Sequence, residues 1–213
     1  MTTLLLIRHG QSQANLTRCF AGHLDAPLTQ LGQQQAACTA EFIVNTYSVD
    51  AVYGSDLLRA FDTGEAVARK VGLKTDPDAQ LREIEAGRWE GVAFSQLEQD
   101  FPEDYGLWLR DIGNSRPTGG ESVAELARRI DSALRRIAEE NPGKTVVIAT
   151  HATPVRVTQW NLSGQPLSYM KEIPWVSNAS VTELYYENGN FRLGKIAQDG
   201  HLAELKTSLP ANV

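Results

Sequence analysis

Cysteine is scarce in this chain, and the two present, Cys19 and Cys38, form no CxxC pair and no metal-ligand spacing. A disulfide framework and a thiolate metal site therefore have no support, and two reduced thiols in a cytoplasmic protein are expected. Long apolar runs are also missing. Leu4 to Ile7 is far too short for a membrane span, and Met1-Thr2-Thr3 lacks the basic region of a signal peptide, so neither is expected. Positive charge is in deficit, with 20 Lys and Arg against 26 Asp and Glu, a net −6. That balance argues against a nucleic-acid or anionic-membrane surface. It leaves room for a small anionic substrate gathered by a few arginines. No internal repeat, low-complexity segment or linker is visible, and neither HxH nor HExxH occurs.

What is present reads as an alternation of strands and helices. Hydrophobic content of 42% with 22% charge suits a soluble globular chain, and 213 residues suit one domain, residues 1–213. Leu4 to Ile7 is a short strand with no polar face, as expected where helices cover both sides. A helix from Leu28-Thr29 to Asn45 is expected next, with Thr29 as its N-cap. Asp50 to Gly54 is a strand, and Leu57 to Val71 a helix stopped by Gly72. From Asp76 to Gly91 the pattern is loop, with a short strand near Leu81. Val123, Leu126, Ile130, Leu134 and Ile137 share one face of a helix from Ser122 to Glu140. Thr145 to Thr150 is a second buried strand, and Pro154 opens a helix to Leu162. A hairpin from Ser180 to Tyr186 and Phe191 to Ile196 turns through Asn188-Gly189. The expected architecture is a three-layer α/β sandwich. It has a mostly parallel central sheet, an antiparallel edge hairpin, and a small helical cap inserted at residues 92–120.

In such sheets ligands bind beyond the carboxyl ends of the strands. Three strand ends carry candidate chemistry here: Arg8-His9, Arg59 just past the second strand, and His151. A metal site built on the histidines would set Arg8 and Arg59 against a cation, so no metal is expected. Purely structural histidines are the second reading, less favoured because two stand at converging strand ends, each followed by a small residue. An anion site with a nucleophilic histidine suits all four residues, because fixed guanidiniums match the oxygens of a phosphoryl group. A neighbouring cation also holds an imidazole towards its neutral, nucleophilic form.

These residues also carry a resemblance. RHGQSQAN resembles the R-H-G-[EQ]-x-x-x-N signature of the histidine phosphatase superfamily, the group holding the cofactor-dependent phosphoglycerate mutases and the broad-specificity phosphatases similar to them. NLTRCFAGHLDAPLTQLG, SDLLRAFDT, LREIEAGRWEG, GGES and ATHATPVR resemble the family's later motifs, in order, over nearly the whole chain. Two departures stand out. Ala21 replaces a frequent glutamine before Gly22, removing a side-chain donor, and Ala152 replaces the usual glycine after the second histidine, so that backbone must avoid glycine-only angles. Both bear on substrate fit.

The resemblance implies a phosphomonoesterase with no cofactor, acting on a small phosphorylated metabolite. His9 would receive the phosphoryl group, which water then removes. Arg8, Arg59 and a protonated His151 would hold the non-bridging oxygens, with Asn15 as a neutral donor and Arg18, Ala21, Gly22 and Ala152 nearby. Glu83, from the L-x-E pattern, would protonate the leaving alcohol and then activate water. Glu85 alternates off that face and is expected in solvent. Asp56 is expected as a helix cap, and Glu121 stays unassigned. Phe94, Phe101 and Trp108 read either as core anchors of the cap or as a wall suited to an apolar ester. A mutase needs more basic residues and a larger lid, so hydrolysis leads over mutase-type transfer. A phosphate-binding regulatory protein is the third reading. An oligomer through the edge hairpin is open but not indicated.

Overall fold

The computed structural model describes residues 1–207. In chain order the elements are β1 Thr2–Arg8, α1 Gln13–Thr17, α2 Gln30–Thr46, β2 Ala51–Gly54, α3 Leu58–Val71 and β3 Thr75–Pro77. There follow α4 Phe94–Asp100, α5 Pro102–Arg110, α6 Val123–Glu140, β4 Thr145–Thr150, α7 Ala152–Ser163, β5 Val181–Glu187 and β6 Asn190–Leu193. All six strands form one sheet in the order β3-β2-β4-β1-β5-β6. The first four in that order run parallel, and β5 and β6 close one edge as the expected antiparallel hairpin. At its turn Asn188 and Gly189 both have positive φ, 50° and 79°, which a two-residue type I′ turn requires.

The apolar run of β1 has no polar face because both of its faces are covered. Leu4 and Leu6 pack with Val146 and Ile148 of β4 against α6 and α7. Leu5 and Ile7 point the other way, joining Val147, Val52, Ile43 and Val67 beneath α2 and α3. Each fully buried side chain of this kind contributes roughly 1.5–3 kcal/mol. Thr29 caps α2 as expected, its hydroxyl accepting from Gly32 N–H at 3.0 Å. Ser122 and Glu125 form a reciprocal capping box at the start of α6.

Several local expectations change. Near Leu81 there is a 3-10 turn, Ala79–Leu81, not a strand, and the edge strand lies earlier at β3. Pro77 is accepted because β3 is an edge strand and its missing N–H would face away from β2; Asp78 N–H still donates to Gly54 O at 2.8 Å, and Asp78 Oδ1 accepts from Gln80 N–H at 2.8 Å. The helix read from Pro154 begins two residues sooner, at Ala152. Proline is tolerated there because the first turn's N–H groups have no intrahelical partner. The five-residue α1, too short for a periodic signal, is set by a Ser12–Asn15 capping box. Residues 92–120 hold the short helices α4 and α5, but these do not project freely. Leu97, Tyr105 and Trp108 join the core, packing around the fully buried Trp89. Among the described residues no helix is long and apolar enough to cross a membrane.

Gly10 and Gly32 let the chain leaving β1 press against the first turn of α2. A Cβ on Gly32 would lie 2.0 Å from Gln11 O, and one on Gly10 2.4 Å from Gly32 O. Both obstacles are backbone and cannot rotate away. Gly32→Ala is therefore expected to destabilise the protein by about 2 kcal/mol or more, read as a lower urea midpoint at unchanged m-value.

Candidate active site

The register of β1, β4 and β2 builds the site. Arg8 pairs with Thr150, and Ala149 lies beside both Ile7 and Gly54. His9 and His151 therefore leave the sheet at one level, and Ser55, level with Thr150, follows β2 one residue below them. Backbone bonds fix them there, His9 N–H to Thr150 O and Ser55 N–H to Ala149 O, each 2.9 Å. The two imidazoles meet edge to face, with centroids 5.1 Å apart.

His9 is 5% exposed. Its Nδ1 lies 2.6 Å from Gly10 O, an acceptor only, so Nδ1 carries the hydrogen and Nε2 keeps its lone pair. Burial first, then Arg59 and Arg8, hold its pKa well below the ordinary histidine value. Arg8 is almost fully buried and donates through Nη1 to Val176 O. Burial brings it down to about 10, Glu83 acting in the opposite sense, so it is a cation at neutral pH. Arg59, in the first turn of α3, is fully buried. Its terminal nitrogens donate to Leu24 O and Gly22 O, both at 2.8 Å. The Nε of each arginine is buried without a partner.

A cleft of about 530 Å³, counting space open to solvent, is lined by Arg8, His9, Asn15, Ala21, Gly22, Arg59, Glu83 and Ala152, with Cys19, Thr153 and four aromatic residues. Asn15 Oδ1 is taken by Ser12 N–H and hydroxyl and by Asn178 Nδ2, leaving its own amide nitrogen for a ligand. Glu83 accepts from Ile84 N–H at 2.8 Å and from Thr153 N–H, at the start of α7, at 3.3 Å. Its carbonyl is held by His23 Nε2 at 2.9 Å and Arg129 Nη2 at 3.1 Å. Ala152 is the first residue of α7 and needs no left-handed backbone. Gly22 does, at φ +50°.

Not every residue named from the sequence faces the cleft. Arg18 caps α1 in the left-handed region, φ 54°, with its side chain in solvent. His151 is fully buried against Ser55, Nε2 to Oγ 2.9 Å, and its Nδ1 has no partner. Burial, Arg59 and His9 hold it well below the ordinary value, so the protein's own groups favour a neutral ring, not the protonated one expected. Asp56 caps no helix. It grips Arg82 with both oxygens, and Asp25 Oδ1 takes the Leu58 N–H at the start of α3. Glu85 is exposed, and Glu121 orients an arginine, Arg129. Ser55, His23, Arg129, Thr153, Trp175 and Asn178 were not read from the sequence. Ser55, His23, Arg129 and Asn178 reach their partners across 46 or more residues and Thr153 through its backbone N–H, and no local spacing announces either.

The family profile of the histidine phosphatase superfamily (branch 1) matches residues 4–199. The chain belongs to this superfamily. A bifunctional protein of Mycobacterium tuberculosis is 30% identical over 203 residues, 94% of this chain and 55% of that one. The chain thus spans about half the length of that relative. Phosphoserine phosphatase 1 of Hydrogenobacter thermophilus is 28% identical over 204 residues, 96% of each chain. Among solved structures, YhfR of Bacillus stearothermophilus superimposes with a TM-score of 0.90 at 28% identity, covering 95% of this chain and 100% of that one. In this member of the superfamily the RHG, SDLLR and THA motifs begin at the carboxyl ends of β1, β2 and β4, and LREIEAGRWEG follows β3.

Two neutral, buried imidazoles make the fold sensitive to acid. Their folded pKa values lie below the unfolded value of about 6.5, so the unfolded chain binds more protons below that pH. Unfolding free energy should be flat above pH 7 and fall by roughly 1.4 kcal/mol per pH unit for each imidazole below pH 6. Urea melts of His9→Asn from pH 7 to 5 should lose one such increment of slope, and an unchanged slope would contradict it.

Proposed function

We propose that this histidine phosphatase hydrolyses small phosphomonoesters through a phosphohistidine on His9, without a metal. The observation that carries this is the state of His9: Nδ1 hydrogen committed to Gly10 O, Nε2 free, ring neutral, two cations beside it. An in-line attack by Nε2 forms the P–N bond while the ester P–O bond breaks. Glu83 in its acid form gives its proton to the departing alkoxide. The resulting carboxylate takes a proton from water, whose oxygen attacks phosphorus, and the P–N bond breaks to release inorganic phosphate. Arg8, Arg59 and the Asn15 amide meet the non-bridging oxygens, whose charge grows in the transition state. A phosphate dianion also reverses the local balance of charge, so His151 takes its proton with the substrate.

Hydrolysis is favoured over mutase-type transfer by the composition of the cleft. Besides Arg8 and Arg59 its lining holds no lysine or arginine to retain a bisphosphate between turnovers. A protein that only binds a phosphorylated ligand would have no use for a carboxylate facing the same cleft as His9.

The test is a phosphomonoester assay in EDTA, followed by acid quench and alkaline quench of the labelled enzyme. An acid-labile, alkali-stable phosphoenzyme is expected and should be absent in His9→Ala, whose turnover should be abolished. Abolition by EDTA, or a fully active His9→Ala, would overturn the mechanism. Arg59→Ala should lose about 10²–10³ in kcat. Its circular dichroism should stay native, although the Gly22 and Leu24 carbonyls lose their donor.

A further inference from the structure

The charged residues lining the cleft are Arg8, Arg59 and Glu83. The rest of the wall includes Phe20, Phe94, Trp108 and Trp175. Three of these rings form one rigid unit: Phe20 meets Trp108 edge to face at 5.2 Å and Phe94 at 6.0 Å. Trp175 arrives separately, from the segment between a 3-10 turn at Leu167–Glu172 and β5. A buried arginine of α7 holds it. The Arg156 guanidinium lies 3.9 Å from the Trp175 ring centroid and donates to Met170 O at 2.9 Å and Ile173 O at 2.6 Å. The residue after Trp175 is Val176, whose carbonyl receives Arg8. Arg156 thus stacks on an aromatic wall residue, and the next residue along the chain carries the carbonyl that receives Arg8.

We propose that the substrate's alcohol half is uncharged and carries a flat apolar ring seated against Trp175, with Arg156 as the positioning residue of that wall. The proposal rests on the phosphomonoesterase reading. A carboxylate on the alcohol would find no cation beyond those serving the phosphate, would face Glu83, and would lose its hydration against aromatic carbon. A ring in the same place removes apolar surface from water and gains edge or stacking contacts.

The experiment compares kcat/KM for three esters of primary alcohols: 2-phenylethyl phosphate, ethyl phosphate and 3-phosphoglycerate. The phenyl ester should exceed ethyl phosphate by about tenfold or more, and 3-phosphoglycerate should be the poorest. Trp175→Ala should bring the phenyl-to-ethyl ratio near one, mainly through KM for the phenyl ester. Arg156→Lys should lower the same ratio, because lysine keeps the charge but not the planar stack or the paired donors. A merely structural role for Arg156 would depress all three esters equally and leave the ratio alone, which would remove it from the proposal. Preference for 3-phosphoglycerate, or a ratio untouched in Trp175→Ala, would overturn the aromatic assignment while leaving the phosphatase reading standing. Hydrolysis of none of the three would sink that reading together with this one.

Discussion

Parallel pairing of β1 with β4, Arg8 against Thr150, is the constraint on which the rest of the site depends. It delivers His9 and His151 to the same level of the sheet, and β2 delivers Ser55 beside them. A slip of one residue along β1 would exchange its two faces. Leu4 and Leu6 would then leave their layer, so the core itself defends the register. The geometry of the site is in this sense a by-product of packing. The same carboxyl ends that must stop pairing are where side chains become free to do chemistry.

A second theme is how the buried cations are held. Arg8, Arg59 and Arg156 are each tied by main-chain carbonyls: Val176, Gly22 with Leu24, and Met170 with Ile173. More exposed arginines such as Arg82 and Arg136 take carboxylates instead. A carbonyl satisfies a donor without cancelling its charge, whereas a carboxylate would neutralise the site before a phosphate arrived. An acidic protein of net charge −6 thereby keeps a locally positive pocket. Arg8 and Arg59 each keep a buried Nε with no partner within the protein, and Arg156 a buried Nη1.

The electrostatics of the imidazoles follow from the same design. Placed between two guanidiniums and shielded from water, His9 is uncharged at any physiological pH. Its orientation is not left to the ring itself. Gly10 supplies the acceptor for Nδ1, and that carbonyl can approach so closely because the chain turns into tight contact with Gly32. Glu83 is treated similarly: the helix start at Thr153 supports its carboxylate, while His23 from a loop and Arg129 from α6 fix its backbone.

Much of this was legible in the sequence. Apolar runs with no polar face, helix caps at Thr29 and Ser122, and Asn188-Gly189 specified layers, boundaries and hairpin, because such signals are local and repeat with the period of each element. The ordered motifs marked His9, Arg8, Arg59 and Glu83 as candidates. Other features had no local trace. Asp56 looked like a cap yet binds Arg82, and the burial that favours a neutral His151 in the free protein has no mark among its neighbours in the chain. Trp175 joined the cleft wall, with Arg156 stacked on it, only once α7 and the segment after it had packed. Sequence determined which elements form and which reactive groups stand at strand ends, since those depend on neighbours within a few residues. Charge state, hydrogen-bond direction and the chemistry of the cleft wall were decided by the tertiary structure, because burial and long-range partners exist only once the chain has folded.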